Sequence, residues 1–339
     1  FFRENIQRAW GSPILYRTDK LLLIGGVDHQ GNYGIATNST SHIDLSGGSP
    51  VSSSAAPMLF PRADADGTIL ANGEVFVNGG GYEHILGPHP THILVPETWD
   101  PDTGQWTIGA AATNPRGYHS TALLLPDGRV WTGGGECGFD CPFGKTAQVY
   151  TPPYLYNQNG NGQLANRPTL NSAPDQINYG QLFNANVSSH NGVSKVTFIR
   201  LGSTTHHINF EQRYLELTYQ QSGSNLTITA PAHGNLAPPG YYMLFVFNGV
   251  GVPSVAKMVQ LTGDAPPPNA TPTPQPPTPT PAPPGNSCNL VSNGGFEAGT
   301  SGWITTGQFT TTSDAFEGNQ ALNLIGGWGY QPIPAQAGE

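Results

Sequence analysis

Charged residues are scarce in this chain of 339 residues, where Asp, Glu, Lys and Arg together make up only 10%. The 13 Lys and Arg are outnumbered by 22 Asp and Glu, so no basic surplus is available to attract nucleic acid or anionic lipid. Long apolar runs are missing too, because stretches such as residues 21–24 are far shorter than the roughly 20 residues of a membrane-spanning helix. The composition argues against a nucleic-acid partner and against a membrane span.

Cysteine is nearly absent, with Cys137, Cys141 and Cys288 as its three occurrences. Since no second cysteine pair stands at zinc-ligand spacing, a small loop disulfide between Cys137 and Cys141 is favoured over a metal site. A disulfide indicates an oxidising compartment, and we therefore expect a secreted, extracellular protein. Two inert, reduced loop thiols are the alternative.

Both ends of the chain lack the features of a complete precursor. It opens on Phe1 with no initiator methionine and no leader, and it stops at Glu339 inside what looks like a domain. We expect a fragment of a longer protein, so the missing signal peptide says nothing about the parent.

Glycine and proline are abundant instead, with 44 and 32 residues, which suits short strands joined by turns and predicts an all-β fold. Glycine pairs at 25–26, 79–80 and 133–134 recur every 54 residues, each after an apolar strand. This period and the Gly-Gly signature are typical of kelch-type propeller blades. We predict that residues 1–160 are the last blades of such a propeller. About three blades fit there, whereas a closed propeller has roughly four to eight, so amino-terminal blades are expected to be missing.

The period ends after the third unit, and three further segments are predicted. Short alternating strands at residues 166–262 indicate an immunoglobulin-like β-sandwich. Residues 263–287 are a Pro/Thr-rich linker, which is stiff, extended and unable to form a core. Residues 288–339 are patterned as the opening strands of another β domain, a partial carbohydrate-binding-like jelly-roll module.

Tyr118 and His119 are the most informative residues for function. A phenol beside an imidazole is a plausible ligand pair for Cu(II), and His206 in the sandwich is a third candidate. Neighbouring side chains in a regular strand point to opposite faces, so Tyr118 and His119 can share a metal only where a strand begins or twists. The alternative is that both line the propeller axis and only form hydrogen bonds.

The other histidines are weaker candidates for a functional role than His119 and His206. His206 and His207 are predicted near a hairpin tip, with one imidazole facing solvent and the other facing a partner surface. The other histidines in loops are expected only to face solvent or to pack against neighbours; they are His29, His84, His89 and His92.

Several segments resemble copper-radical oxidases of the galactose oxidase and glyoxal oxidase family. The resemblance covers roughly residues 10–262. The segments that match the family's last blade and its carboxy-terminal sandwich are residues 115–135, the Cys137/Cys141 loop, and residues 149–156, 199–209 and 236–245.

The resemblance implies a copper cofactor bound by Tyr118, His119 and His206. In this family the tyrosine is the axial ligand and proposed base, matched by Tyr118, and the two histidines are equatorial ligands. Gln30 resembles a retained substrate contact. The family also needs a Tyr-Cys radical cofactor from earlier blades, which has no counterpart in this chain. The implied reaction is oxidation of a primary alcohol or aldehyde, with O2 reduced to hydrogen peroxide.

A non-catalytic function is the alternative to the oxidase. Propellers host many binding functions, so a secreted carbohydrate-binding or adhesion protein on the same scaffold is also predicted. Residues 289–303 resemble the start of carbohydrate-binding modules, and Trp303 and Trp328 are candidates for stacking on polysaccharide, although core packing is at least as plausible a role.

Overall fold

The computed structural model describes residues 8–27, 34–84, 91–136, 142–189 and 191–263, together with the backbone of two strands at 304–312 and 321–330. The all-β prediction is confirmed, because the described residues form 24 strands and only two single-turn 3₁₀ helices, Pro142–Lys145 and Pro153–Leu155. Among these residues, no helix is long and apolar enough to cross a membrane.

Three antiparallel sheets follow the 54-residue repeat, and each is assembled in chain order. The first contains β1 Ser12–Arg17, β2 Lys20–Ile24, β3 Thr40–Asp44 and β4 Val51–Ala55. The second contains β5 Ala63–Ile69, β6 Val75–Gly81, β7 Glu97–Trp99 and β8 Trp106–Ile108. The third contains β9 Ser120–Leu124, β10 Val130–Gly134 and β11 Ala147–Tyr150. The first strands of the three sheets lie side by side, since β1 packs beside β5 and β5 beside β9.

The glycine pairs let each sheet approach the next. The amide of Gly80 donates a hydrogen bond to the Arg116 carbonyl at 2.7 Å, as Gly26 does to Arg62 at 2.8 Å. A Cβ at Gly79, whose φ is +69°, would lie 2.6 Å from the Arg116 carbonyl oxygen. Only glycine fits this close approach, which explains why the Gly-Gly and Pro-Arg motifs recur together.

The chain then forms two facing sheets, in the orders β12-β14-β20-β19 and β13-β22-β21-β15-β18, and a separate β16-β17 hairpin that lies between β15 and β18 along the chain. The strands are β12 Thr169–Ser172, β13 Gln176–Ile177, β14 Leu182–Ser188, β15 Val193–Arg200, β16 Thr204–Thr205, β17 Ile208–Asn209, β18 Arg213–Glu216, β19 Tyr219–Ser222, β20 Asn225–Thr229, β21 Gly240–Asn248 and β22 Lys257–Leu261. Apart from the parallel β13–β22 pair, the described strand pairs of these two sheets and the hairpin are antiparallel.

Strand β21 joins two hydrophobic cores. Tyr242, Leu244 and Val246 belong to the interior of the sandwich, whereas Met243 and Phe245 belong to the core shared with the three repeat sheets. Burial on both faces explains why this strand is a continuous apolar run rather than an alternating one. One sheet of the sandwich therefore packs directly on the repeat sheets.

Residues 268–339 form a second compact unit, separate from residues 1–267. Its described part is one antiparallel pair, β23 Ile304–Thr312 with β24 Ala321–Tyr330. Trp303 lies outside the described residues.

Candidate metal centre

Tyr118 and His119 lie at the point where a strand begins. β9 starts at Ser120, and His119 adopts a left-handed backbone with φ of 63°. The two rings consequently lie close together, with centroids 3.9 Å apart. Because a strand starts at this pair, the backbone allows both side chains to face the same metal.

His206 reaches the same place from the sandwich. It occupies the tip of the β16–β17 hairpin, which packs against β1, β5 and β9, the first strands of the three repeat sheets. Its ring centroid lies 4.9 Å from that of His119 and 5.6 Å from that of Tyr118. The three candidate ligands predicted from the sequence are therefore brought together.

The Nδ1 atoms of His119 and His206 each lie within hydrogen-bond distance of an oxygen atom. His119 Nδ1 lies 2.6 Å from Glu136 Oε1, and His206 Nδ1 lies 2.6 Å from Thr205 Oγ1. An Nδ1–H that donates to each oxygen leaves Nε2 with its lone pair available for a metal. This arrangement of outer partners is the one that metal-binding histidines use.

Copper fits this donor set. Two imidazole nitrogens and a phenol oxygen suit Cu(II), which accepts nitrogen and oxygen ligands. Among the described residues, no group of three or more His, Cys, Asp or Glu side chains could hold a metal ion. A site at this position therefore depends on Tyr118. The pKa of Tyr118 is raised by burial and by the nearby carboxylates of Asp64 and Glu136, so its phenol keeps its proton unless a cation compensates.

A buried polar group adjoins Tyr118, and the sequence did not reveal it. His84, predicted only to pack or face solvent, is 2% exposed, and its Nδ1 lies 2.8 and 3.0 Å from the two Asp64 carboxylate oxygens. His84 also stacks on Trp10, with ring centroids 3.7 Å apart. The available signal was the repeat itself, since Trp10, Asp64 and Tyr118 stand 54 residues apart.

His207 completes the group. Of the tandem pair, His206 is exposed and His207 is 2% exposed, in agreement with the prediction of one outward and one inward imidazole. Burial and the neighbouring imidazoles of His84, His206 and His119 lower the pKa of His207 to about 3. His207 is therefore a neutral imidazole, with its Nδ1 3.7 Å from Asp64 Oδ1.

Backbone strain is concentrated at this place. Among the described residues, six that are not glycine have positive φ, and all but Asp19 belong to this group: Trp10, Asp64, His119, His206 and His207. Left-handed backbone is costly for these side chains and persists where the surroundings impose it, which is common at functional sites.

Comparisons with known proteins show that the chain is similar to several oxidases. Residues 167–261 match the family described as galactose oxidase-like, early set domain. Galactose oxidase of Gibberella zeae is 38% identical over 208 residues, covering 60% of this chain and 30% of that protein. The chain is therefore similar to galactose oxidase over about 60% of its own length. Aldehyde oxidase GLOX1 of Arabidopsis thaliana is 35% identical over 226 residues, covering 59% of this chain and 36% of that protein.

A solved structure also resembles this chain. It is described as a novel fungal alcohol oxidase with catalytic diversity among the AA5 family, in complex with copper, and matches with a TM-score of 0.68 and 32% identity. The match covers 75% of this chain and 54% of that structure. The resemblance to galactose and glyoxal oxidases is thereby confirmed, as is the galactose oxidase-like sandwich, while the chain spans only about a third of the curated relatives.

Gln30, the proposed substrate contact, and Cys137 and Cys141, the proposed disulfide, lie outside the described residues, as do His29 and His89. They remain predictions.

Proposed function

We propose that this chain is part of a secreted copper-radical oxidase that oxidises primary alcohols or aldehydes and reduces O2 to hydrogen peroxide. The observation that carries the proposal is the convergence of Tyr118, His119 and His206 from two different parts of the fold, with both histidine Nδ1 atoms held by outer partners. Such convergence is the arrangement expected of a metal centre rather than of ordinary packing.

The residues have separate roles in this proposal. His119 and His206 would hold copper with the Nε2 atoms that their Nδ1 partners leave free, and Tyr118 would supply an oxygen ligand. Copper and the Tyr-Cys radical cofactor that the resemblance assigns to earlier blades would, when present, supply the capacity to accept two electrons. The substrate loses two electrons and two protons, and O2 gains them to become hydrogen peroxide.

Tyr118 is the candidate base. Burial and the charges of Asp64 and Glu136 raise the pKa of this phenol, which makes its deprotonated form a stronger base toward a substrate hydroxyl. The ring lies beside His119 and is only half-buried, so a substrate can approach its oxygen.

Substrate class and location extend the proposal. Leu94 stands where galactose oxidases carry an aromatic residue, which favours an alcohol or aldehyde other than galactose. The partial carbohydrate-binding-like module predicted at residues 288–339 would direct the enzyme to polysaccharide.

Peroxide release tests the proposal. It is measured on the longest natural protein that contains this chain, loaded with copper, over a panel of primary alcohols and aldehydes. The variant is His206→Asn, because asparagine tolerates the left-handed backbone at this position. The matched control is His233→Asn, at an exposed histidine elsewhere in the sandwich.

Peroxide from the wild type and from His233→Asn, but none from His206→Asn, is the expected result. A folded, copper-loaded wild type that releases no peroxide with any substrate contradicts the oxidase. That result would favour the carbohydrate-binding or adhesion protein, for which binding to insoluble polysaccharide is the measurement.

A further inference from the structure

Tyr118 is the centre of a cluster of rings rather than a member of a single pair. Besides His119 and His206, it meets Trp10 and His84 edge-on, each with centroids 5.5 Å away and interplanar angles of 84° and 78°. His207 adds a further ring at 5.8 Å. The resemblance to oxidases accounts for the first two neighbours and leaves the other three without a role.

Trp10 and His84 act as one flat body. Their rings are nearly parallel, with an interplanar angle of 6° and centroids 3.7 Å apart, and each ring is nearly perpendicular to the ring of Tyr118. Edge-to-face packing of this kind restricts how an aromatic ring can turn. A half-buried tyrosine with two rotatable torsions needs such a constraint if its oxygen is to stay in one place.

Asp64 anchors this body. Its carboxylate contacts His84 Nδ1 with both oxygens, and Asp64 and His84 are each 2% exposed. An Nδ1–H that donates to a buried carboxylate fixes both the tautomer and the ring plane of the imidazole. The orientation of His84, and of Trp10 stacked on it, is therefore set by Asp64.

The repeat explains why these residues meet. Trp10, Asp64 and Tyr118 occupy equivalent positions 54 residues apart, just before or at the start of β1, β5 and β9. Because these three strands are neighbours, equivalent positions lie side by side at one end of them. Two of the three repeats thus contribute support to the position where the third contributes a candidate ligand.

We propose that Asp64, His84 and Trp10 are positioning residues that hold the Tyr118 ring in the orientation from which its oxygen binds the metal held by His119 and His206. They act through Tyr118. The inference rests on the proposed function, because it assumes that Tyr118 is a copper ligand.

The test uses the whole chain and copper alone. Cu(II) is titrated into the protein, and two quantities are recorded: the affinity, and the visible absorption that arises when a tyrosine oxygen donates charge to bound copper. Tyr118→Phe identifies which part of this absorption belongs to Tyr118. Melting temperature is measured for every variant, since a purely structural role changes stability and not this band.

Two substitutions separate the hydrogen bond from the packing. Asp64→Asn keeps the shape of the anchor and suits its left-handed backbone, and His84→Phe keeps a flat ring but cannot bond to Asp64. His42→Phe is the matched control, because His42 also packs against a tyrosine and a tryptophan, Tyr16 and Trp99, in a different cluster.

We expect Asp64→Asn and His84→Phe to lose most of the Tyr118 band and to bind copper about tenfold more weakly, with His42→Phe like the wild type. The double variant should be no worse than either single variant, because both act on one contact: Asp64→Asn removes the carboxylate charge and His84→Phe removes the Nδ1 donor. Should either buried substitution prevent folding, Trp10→Phe, which shortens the stacked ring without removing a charge, gives the same comparison.

Two results overturn the inference, and they are distinguishable. A wild type that binds copper without a Tyr118-dependent band refutes Tyr118 as a ligand and with it the proposed site. A wild type with the band, and folded variants that keep it at full intensity and affinity, refutes only the positioning role.

Discussion

The second and third repeats are two copies of one structural unit put to different uses. Each opens with a buried arginine, Arg62 or Arg116, whose carbonyl accepts a hydrogen bond from a glycine of the preceding sheet. The residues two and three positions later differ: Asp64 and Ala65 in the second unit, Tyr118 and His119 in the third. The repeat thus fixes the backbone position, and two side chains decide whether that position serves as support or as a candidate ligand.

The two arginines also differ in how their charge is held. Arg62 forms a fully buried ion pair with Glu97 at 2.9 Å. In the third unit Val149 takes the place that matches Glu97 in the strand register, opposite Trp131 as Glu97 is opposite Val77. The Arg116 guanidinium donates to neutral oxygens there, including Thr146 Oγ1 at 3.1 Å. Val149 supplies no carboxylate at the position that Glu97 occupies in the second unit.

The largest expected effect tests this difference in charge. Glu97→Gln leaves the Arg62 charge buried without its carboxylate and should lower the free energy of unfolding by about 3–5 kcal/mol. Thr146→Val, which removes one acceptor of Arg116, should cost about 1 kcal/mol. Urea denaturation of both variants measures the comparison, and equal losses would show that the two units are held in the same way.

A second difference lies at Asp66 and Ser120, again equivalent positions in the two units. The Ser120 hydroxyl donates to Asp66 Oδ2 at 2.5 Å, while burial raises the pKa of Asp66 from its usual 3.8 to about 7. The folded protein therefore keeps a proton that the unfolded chain releases above pH 3.8. The contribution of protonated Asp66 to the free energy of unfolding is fully present at lower pH and is lost as the pH rises through about 7.

Asp66→Asn, a neutral mimic, should remove this dependence. The variant is expected to match the wild type near pH 4 and to exceed its free energy of unfolding near pH 8 by at most about 4 kcal/mol, since a pKa difference of one corresponds to about 1.4 kcal/mol. Denaturation at both pH values gives the measurement, with Asp44→Asn at an exposed ion pair as control. Parallel pH curves for wild type and Asp66→Asn would contradict a protonated Asp66.

His119→Asn addresses the residue that sets the third unit apart. Asparagine accepts the left-handed backbone, and the His119 side chain is 43% exposed, so the melting temperature should change little. Copper affinity of the whole chain should fall by about a hundredfold, or about 2.7 kcal/mol. Calorimetric titration with Cu(II) measures it, against His233→Asn as control. Unchanged affinity would remove His119 from the candidate site.

The fold was largely accessible from the sequence because its signals are local. Residues 241–247 are a continuous apolar and aromatic run in the sequence and lie within β21 Gly240–Asn248, since burial of a strand on two faces requires such a run. Glycine pairs likewise marked the ends of apolar strands, because close approach of the next sheet leaves no room for a Cβ at Gly79.

The candidate site could be predicted only in part from the sequence, because its residues are distant along the chain. Tyr118 and His119 were found as neighbours, but the approach of His206 depends on how the sandwich packs on the repeat sheets, which no local pattern shows. His84 carries no periodic signal at all. Its role emerges only through Asp64, and Asp64 could have been singled out by its 54-residue spacing from Trp10 and Tyr118.

The smallest expected effect concerns the outer partner of His119. Glu136 Oε1 lies 2.6 Å from His119 Nδ1 and, as a carboxylate, orients the ring and strengthens Nε2 as a donor. Glu136→Gln keeps the size and a hydrogen-bond acceptor but removes the charge, so copper affinity should fall by about tenfold, less than in His119→Asn.

Because the Glu136 charge also raises the pKa of Tyr118, the same variant should ease deprotonation of the phenol. Copper titration at several pH values measures both effects, with Glu211→Gln, at the partner of Arg200, as the control. Affinity equal to the wild type at every pH would show that the third unit binds metal without this outer carboxylate. The difference between the second unit, which carries Asp64, and the third unit would then depend on Tyr118 and His119 alone.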